Sequence, residues 1–266
     1  LAKYVVTFIS DGVAISTATL EYGSEIVPPT DPKKKGYNFI GWNPAVDATV
    51  PAHDVTYAAS FGKGAFLVTF VVDGKNYSTA SMDFGELIVL PEDPTKVGYT
   101  FAGWDGYVDG ATVPADNVTY TATWNVNKYN VSFVSEGETV KSDELDYGSA
   151  ITLPANPEKV GYSFDGWTPA VAETVPANDV TYTASFKINQ YTVTFKSGDD
   201  VVKSESLDYG TTITVPVAPT KEGYTFTGWE GYTEGVTVPA EDVTYNSAWS
   251  INQYTVTFIV DGDILK

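Results

Sequence analysis

The sequence predicts a mainly β (α+β) protein: a tandem array of four small domains, each with short strands and a one- to two-turn helix, arranged as an elongated rod. Three observations carry that prediction. The pattern Gly-Tyr-x-Phe-x-Gly-Trp occurs four times, at 36–42, 98–104, 161–167 and 223–229. Its tryptophans, Trp42, Trp104, Trp167 and Trp229, are 62, 63 and 62 residues apart. Between them apolar and polar residues alternate with period two, as in half-buried strands. Repetition at such a period sets the domain count in place of chain length.

The first strand of each copy opens at Tyr4, Phe66, Tyr129, Tyr191 and Tyr254. Repeats are therefore expected at 1–65, 66–128, 129–190 and 191–253, with 254–266 as the first strand of a truncated fifth. In "YVVTF" the residues Tyr4, Val6 and Phe8 share the inward face, while Val5 and Thr7 point out. Next come Asp11-Gly12, Asp73-Gly74, Glu136-Gly137, Gly198-Asp199 and Asp261-Gly262, dipeptides suited to the positive φ of tight hairpin turns. A second strand follows and ends in Leu-acid-aromatic-Gly or its like, with Leu145 and Tyr147 facing one way.

An extended piece such as Ile151–Pro154 leads to "DPKKKG", "DPTKVG", "NPEKVG" and "APTKEG". Each offers a capping residue, a Pro at the first helical position and a closing Gly, which is the source of the helix expectation. The repeated motif is the third strand. Tyr99 and Phe101 share a face, and a bulge at Gly103 would swing Trp104 back onto it. In the fourth strand Val118, Tyr120, Ala122 and Trp124 alternate inward.

Odd and even copies differ after the tryptophan. Repeats 1 and 3 read "GWNPAV" and "GWTPAV"; repeats 2 and 4 read "GWDGYV" and "GWEGYT", with Tyr107 and Tyr232 in one extra position. Their fourth strands end in Phe61 and Phe186 or in Trp124 and Trp249, so the copied object is a pair of about 125 residues. The joints are four residues long, too short for a floppy tether: "GKGA", "NVNK", "KINQ" and "SINQ". Nearly continuous β structure is expected across the last three, and a looser first joint at Gly62 and Gly64. Compact-domain scaling gives a radius of gyration of roughly 10 Å per copy, hence a rod on the order of 100 to 150 Å.

A domain of about 60 residues buries only ~60% of the surface its unfolded chain exposes. Repeat 1 answers with eight aromatics, Tyr4, Phe8, Tyr22, Tyr37, Phe39, Trp42, Tyr57 and Phe61. Rings of this size bury roughly 150 to 250 Å² each, so the motif reads as core rather than as a stacking platform.

The chain carries 15 lysines, no arginine and no cysteine. Against 34 acidic residues the net charge is −19, which repels phosphate backbones and anionic lipid, so nucleic acid is excluded as a partner. Disulfides and thiolate chemistry are excluded too. No apolar run of about 18 residues reads as a membrane span. Leu1 in place of Met, with no basic and apolar leader, reads as a piece of something longer.

The ordered set "YTVTF", turn, "LDYG", "ITLP", "PTKxGYTFxGW", "VTYTAxW" and "INQYTVTF" resembles the Listeria-Bacteroides repeat family, close to the internalin B-repeats, over essentially the whole chain. The resemblance implies a β-grasp-like domain, two hairpins around a short helix, used in tandem in secreted or wall-anchored bacterial proteins. It brings no catalytic residues. The Asp-Gly turns and the loops after the tryptophan depart from the commonest form of the family.

No catalytic, cofactor or metal residues are assigned. His53 is the sole histidine, in a loop where the other copies have Asp116, Asn178 and Glu241. Asp199-Asp200 and the pair Asp105 and Asp109 sit in turns, where Asp is expected without any ligand. Two functions remain. One is a non-catalytic stalk that projects a distal domain from the bacterial surface, its partners being neighbouring domains of the same polypeptide. The other is a multivalent adhesion module that binds carbohydrate or a host surface protein through the loops after the motif. Tyr107 and Tyr232 discriminate: exposed beside Trp104 and Trp229 they favour adhesion, whereas buried between repeats they favour the stalk.

Overall fold

A computed structural model describes residues 1–264. The chain divides into two compact units, Leu1–Asn127 and Lys128–Lys266. The first unit holds β1 (Lys3–Ser10), β2 (Val13–Glu21), β3 (Tyr37–Asn43), β4 (Val55–Lys63), β5 (Ala65–Val72), β6 (Lys75–Asp83), β7 (Tyr99–Asp105) and β8 (Val118–Val126). The second holds β9 (Lys128–Ser135), β10 (Glu138–Asp146), β11 (Tyr162–Thr168), β12 (Val180–Ile188), β13 (Gln190–Ser197), β14 (Asp200–Asp208), β15 (Tyr224–Trp229) and β16 (Val243–Ile251), then the short β17 (Ile259–Val260) and β18 (Asp263–Ile264).

Each repeat is one four-stranded sheet, ordered β2-β1-β4-β3 in the first and identically in the others. The central pair is parallel, with Val6 opposite Val55 through Ile9 opposite Ala58, and the outer pairs are antiparallel. The hairpins close where the turn dipeptides stand. Asp11, Asp73 and Glu136 adopt φ of 47°, 48° and 52°, followed by left-handed glycines, while in repeat 4 Gly198 alone has positive φ, at 62°, and Asp199 does not follow it into the left-handed region.

A parallel central pair needs a crossover, and here the crossover also roofs the core. The segment after β2 pairs with the segment before β4: Val50 N donates to Ser24 O at 2.9 Å, and Glu25 bridges Thr49. This puts Ile26 and Val50 over Val6, Phe8 and Tyr57, all five buried. The same roof forms in every repeat, with bridges Leu87–Thr112, Ala150–Thr174 and Thr212–Thr237. Four separate clusters result, with no buried residue shared between them.

The expected helix is absent among the described residues. The "DPKKKG" segment is too short to offset the cost of nucleating a helix, which fixes several residues for one hydrogen bond. Tyr37 N donates instead to Lys34 O at 3.0 Å across Lys35-Gly36, with Gly36 at φ 80°. That is the signature of a type II turn, which wants Gly at its third position. The glycine read as a helix stop is a turn residue.

Two further expectations are corrected. The first joint is not looser: β4 and β5 are separated by Gly64 alone, as β12 and β13 are by Asn189. Tyr254–Phe258 does not form the expected strand. Tyr254, Val256 and Phe258 are exposed, and among the described residues of this segment Ile259–Val260 pairs with Asp263–Ile264. Residues 265–266 of that expected strand lie outside the described residues.

Candidate functional site

The repeated motif forms the third strand of each sheet, and its middle glycine is where the ladder slips. Register shifts fall between Phe39 and Gly41, Phe101 and Gly103, Phe164 and Gly166, and Phe226 and Gly228. Gly103 has φ of 120°, which side chains rarely tolerate. The bulge brings Phe101 and Trp104 onto one face, where the rings meet edge to face at 5.3 Å. Trp104 also meets Phe70 at 4.8 Å, as Trp42 meets Phe8, Trp167 meets Phe133 and Trp229 meets Phe195. Trp104 and Trp229 are only 7% and 8% exposed, and Trp42 and Trp167 are half-buried. All four tryptophans are core residues rather than an open platform.

Tyr107 and Tyr232 meet neither of the alternatives posed for them. Each folds back on its own repeat, crossing Tyr120 or Tyr245 edge to face at 5.5 Å. Tyr232 also donates to Ile213 O at 3.2 Å. The extra residue of the even loops therefore covers the core beside Tyr120 and Tyr245, whose phenol pKa values are pushed up first by burial and then by the neighbouring tyrosine. In repeat 1 no such ring is available, and the loop docks through the backbone N–H and the carboxylate of Asp47. Asp47 N donates to Tyr57 Oη at 3.2 Å, and Tyr57 Oη donates to the Asp47 carboxylate at 2.9 Å.

A lysine clamp recurs on the outside of the aromatic cluster. Lys34 Nζ lies 5.0 Å from the Tyr37 ring and 5.5 Å from Phe61. Lys96 sits over Tyr99 and Trp124, and Lys159 over Tyr162 and Phe186. The hairpin-turn acid ties each ammonium down, with Lys34–Asp11 at 2.6 Å, Lys96–Asp73 at 2.7 Å and Lys159–Glu136 at 2.8 Å. The hydrogen bonds that Lys34 and Lys159 donate to Asp11 and Glu136 raise the pKa of both lysines. Repeat 4 breaks the pattern. Gly198 replaces the acid, and Lys221 makes no ion pair among the described residues, lying 4.1 Å from Tyr224 and 6.0 Å from Trp249.

Within each unit, consecutive repeats are joined by a clasp. Gly64 N donates to Gly36 O at 2.8 Å, and Gly64 O accepts from Phe84 N of the next repeat at 2.8 Å. Asn189 does the same between Gly161 O and Tyr209 N, both at 2.9 Å. The ring of Phe84 covers Gly36 so closely that a Cβ there would lie 2.6 Å from it, and a Cβ on Gly161 would lie 2.1 Å from the Tyr209 ring. Tyr22, the equivalent ring of repeat 1 and one of the eight aromatics expected to close its core, is 53% exposed and lies outside that core.

The Listeria-Bacteroides repeat domain matches residues 4–60, 66–127, 129–188 and 191–249. The chain belongs to this family. Among similar proteins, one from Evansella cellulosilytica named as a Gly-rich membrane protein is 34% identical over 280 residues, 86% of this chain and 32% of its own length. Internalin H of Listeria monocytogenes is 35% identical over 142 residues, 47% of this chain and 26% of its own length. The chain thus spans about a third or less of these relatives. Among solved structures, domains 3-4 of the streptococcal high identity repeats in tandem (SHIRT), from a cell surface protein, share 19% identity. They cover 48% of this chain and 99% of their own at a TM-score of 0.23.

Every Listeria-Bacteroides repeat here also carries a strand cap that sequence reasoning passed over. Asp54, Asn117, Asp179 and Asp242 accept from the backbone N of Val5, Leu67, Asn130 and Thr192 at 2.7 to 2.8 Å. The residue just before, His53 in the first repeat, is exposed with no role in this cap. Asp105, Asp109, Asp199 and Asp200 are exposed, and no group of three or more metal-ligating side chains exists among the described residues.

In the second Listeria-Bacteroides repeat, Trp104 Nε1 and Trp124 Nε1 are buried without a hydrogen-bond partner among the described residues. In the fourth, Trp249 Nε1 donates to Ser247 Oγ at 2.7 Å. Ser247 lies opposite Trp229 as Ala122 lies opposite Trp104. Ala122→Ser is therefore expected to stabilise repeat 2 by about 1 kcal/mol. The check is the denaturant midpoint, and an unchanged or lower midpoint contradicts it.

Proposed function

We propose that these β-grasp-like repeats are a non-catalytic structural spacer in a bacterial cell-surface or secreted protein, projecting a distal domain of the same polypeptide. The observation that carries this reading is the clasp. One joint residue is hydrogen-bonded to both neighbours while a ring from the next repeat seals over a glycine of the previous one. A joint so held transmits position from repeat to repeat, which a tether does not. Family membership and the likeness to internalin H support the surface setting. Adhesion through the loops after the motif loses its main support, because Tyr107 and Tyr232 cover their own cores.

The test is standoff on the cell. Deleting one pair of repeats from the complete surface protein is expected to bring a fluorescently labelled distal domain measurably closer to the wall, without loss of expression. If distance stays constant while the pair is removed, the spacer reading is wrong.

A further inference from the structure

We propose that repeat 4 carries a saccharide-binding cleft between its first hairpin turn and Trp249, where the acid–lysine pair of the other three repeats is missing. The cleft is an open groove of about 580 Å³, within the range of roughly 300 to 1,000 Å³ typical of small-molecule sites. It exists because the lysine clamp is open. In repeats 1 to 3 the turn acid reaches the lysine and spans the gap above the fourth-strand aromatic. Gly198 has no side chain to do so, and Lys221 is exposed where Lys34, Lys96 and Lys159 are half-buried.

The side chains around the gap have changed with it. Asn246 stands where the other copies have Ala58, Thr121 and Thr183, each one residue past the core tyrosine. Ser247 replaces Ala59, Ala122 and Ala184, and Glu230 replaces Asn43, Asp105 and Thr168 after the motif tryptophan. The indole N–H of Trp249 is taken up by Ser247, whose hydroxyl in turn donates to Ser197 Oγ at 3.2 Å. That chain fixes the indole and leaves the Ser197 hydroxyl hydrogen for a ligand oxygen.

The chemistry selects the ligand class. Two carboxylates, Asp200 and Glu230, accept from hydroxyls and repel phosphate, while Asn246, Ser197 and Lys221 donate. One indole beside this mixed set suits the apolar face of a pyranose. The cleft is too polar for an aliphatic ligand, and its two carboxylates lack the third ligating group a metal site needs.

The experiment titrates the isotopically labelled full chain with the methyl glycosides of glucose, galactose and N-acetylglucosamine, following the Trp249 indole and Asn246 side-chain resonances. Saturable shifts at these two groups, absent at Trp124, are expected with at least one sugar. Gly198→Asp is then expected to lower affinity about tenfold or more, because it restores the acid that closes the clamp. It is made together with Asp199→Gly, because Asp11 and Asp73 hold positive φ ahead of a left-handed glycine whereas Asp199 is not left-handed, and the pair recreates the Asp-Gly turn of repeats 1 and 2. Absence of saturable shifts with all three sugars overturns the site, as do shifts that survive this double substitution unchanged or that appear equally at Trp124. None of these outcomes touches the spacer reading, which rests on standoff alone.

Discussion

Phe133→Ala is expected to unfold the third repeat at temperatures where the first two remain intact. Phe133 is 1% exposed and meets Trp167 at 4.9 Å and Tyr182 at 5.2 Å. Truncating a fully buried Phe costs about 3 to 5 kcal/mol, because the transfer free energy is lost and the cavity collapses only partly. At about 0.05 to 0.15 kcal/mol per residue, a domain of this size has only roughly 3 to 9 kcal/mol in total. The loss is therefore comparable to everything the repeat has. Its core shares no buried residue with those of the first unit, so the damage stays within repeats 3 and 4, which the Asn189 clasp joins. Calorimetry of the full chain should show one transition displaced downward by more than about 12 °C. A single transition that moves as a whole would mean that the cores are energetically one. Tyr22→Ala is the matched control, expected to be near neutral because that ring lies outside the core.

What the residues revealed in advance, and what they hid, follows from how local each signal is. Strand faces, hairpin turns and the bulge at Gly103 were legible because parity and a single glycine decide them within a few residues. The helix was misread because Asp-Pro-x-Lys-x-Gly suits helix ends and a type II turn alike. The arbiter, the pairing of Lys34 with Asp11 and with the Phe61 ring, lies 23 to 27 residues away. The sequence counts Tyr22 among the core rings of repeat 1 and sets Leu145 and Tyr147 on one face, yet neither a count of rings nor a shared face says what covers them. Gly64 was read as slack when it is a close approach: a Cβ there would meet Gly36 O at 3.1 Å. The candidate cleft was invisible for the same reason as the clamp. Gly198, Lys221 and Asn246 come together only through sheet register, and a turn that moves its acid by one residue looks like a neutral variation until its partner is known.

The clasp yields the second large effect, and a pair of glycines separates its parts. Gly161 and Gly223 occupy equivalent positions with the same φ of 78°. A Cβ on Gly223 meets nothing within 4 Å, whereas one on Gly161 lands 2.1 Å from the Tyr209 ring. Gly223→Ala thus reports the left-handed backbone cost alone, about 1 to 2 kcal/mol. Gly161→Ala adds the displacement of Tyr209 from its contact with Tyr162 at 6.0 Å, an overpacking cost of about 1 to 3 kcal/mol more. The added cost appears as lost coupling: repeats 3 and 4 should unfold in separate steps, and their relaxation rates should diverge. Since the ring and the glycine are one interaction, the effects are not additive. In a Tyr209→Ala background the ring has gone, and Gly161→Ala should fall to the cost seen at Gly223. Equal costs for the two glycine variants in the otherwise unchanged chain would show that the sealed ring contributes nothing, and position would then pass between repeats through the Asn189 hydrogen bonds alone.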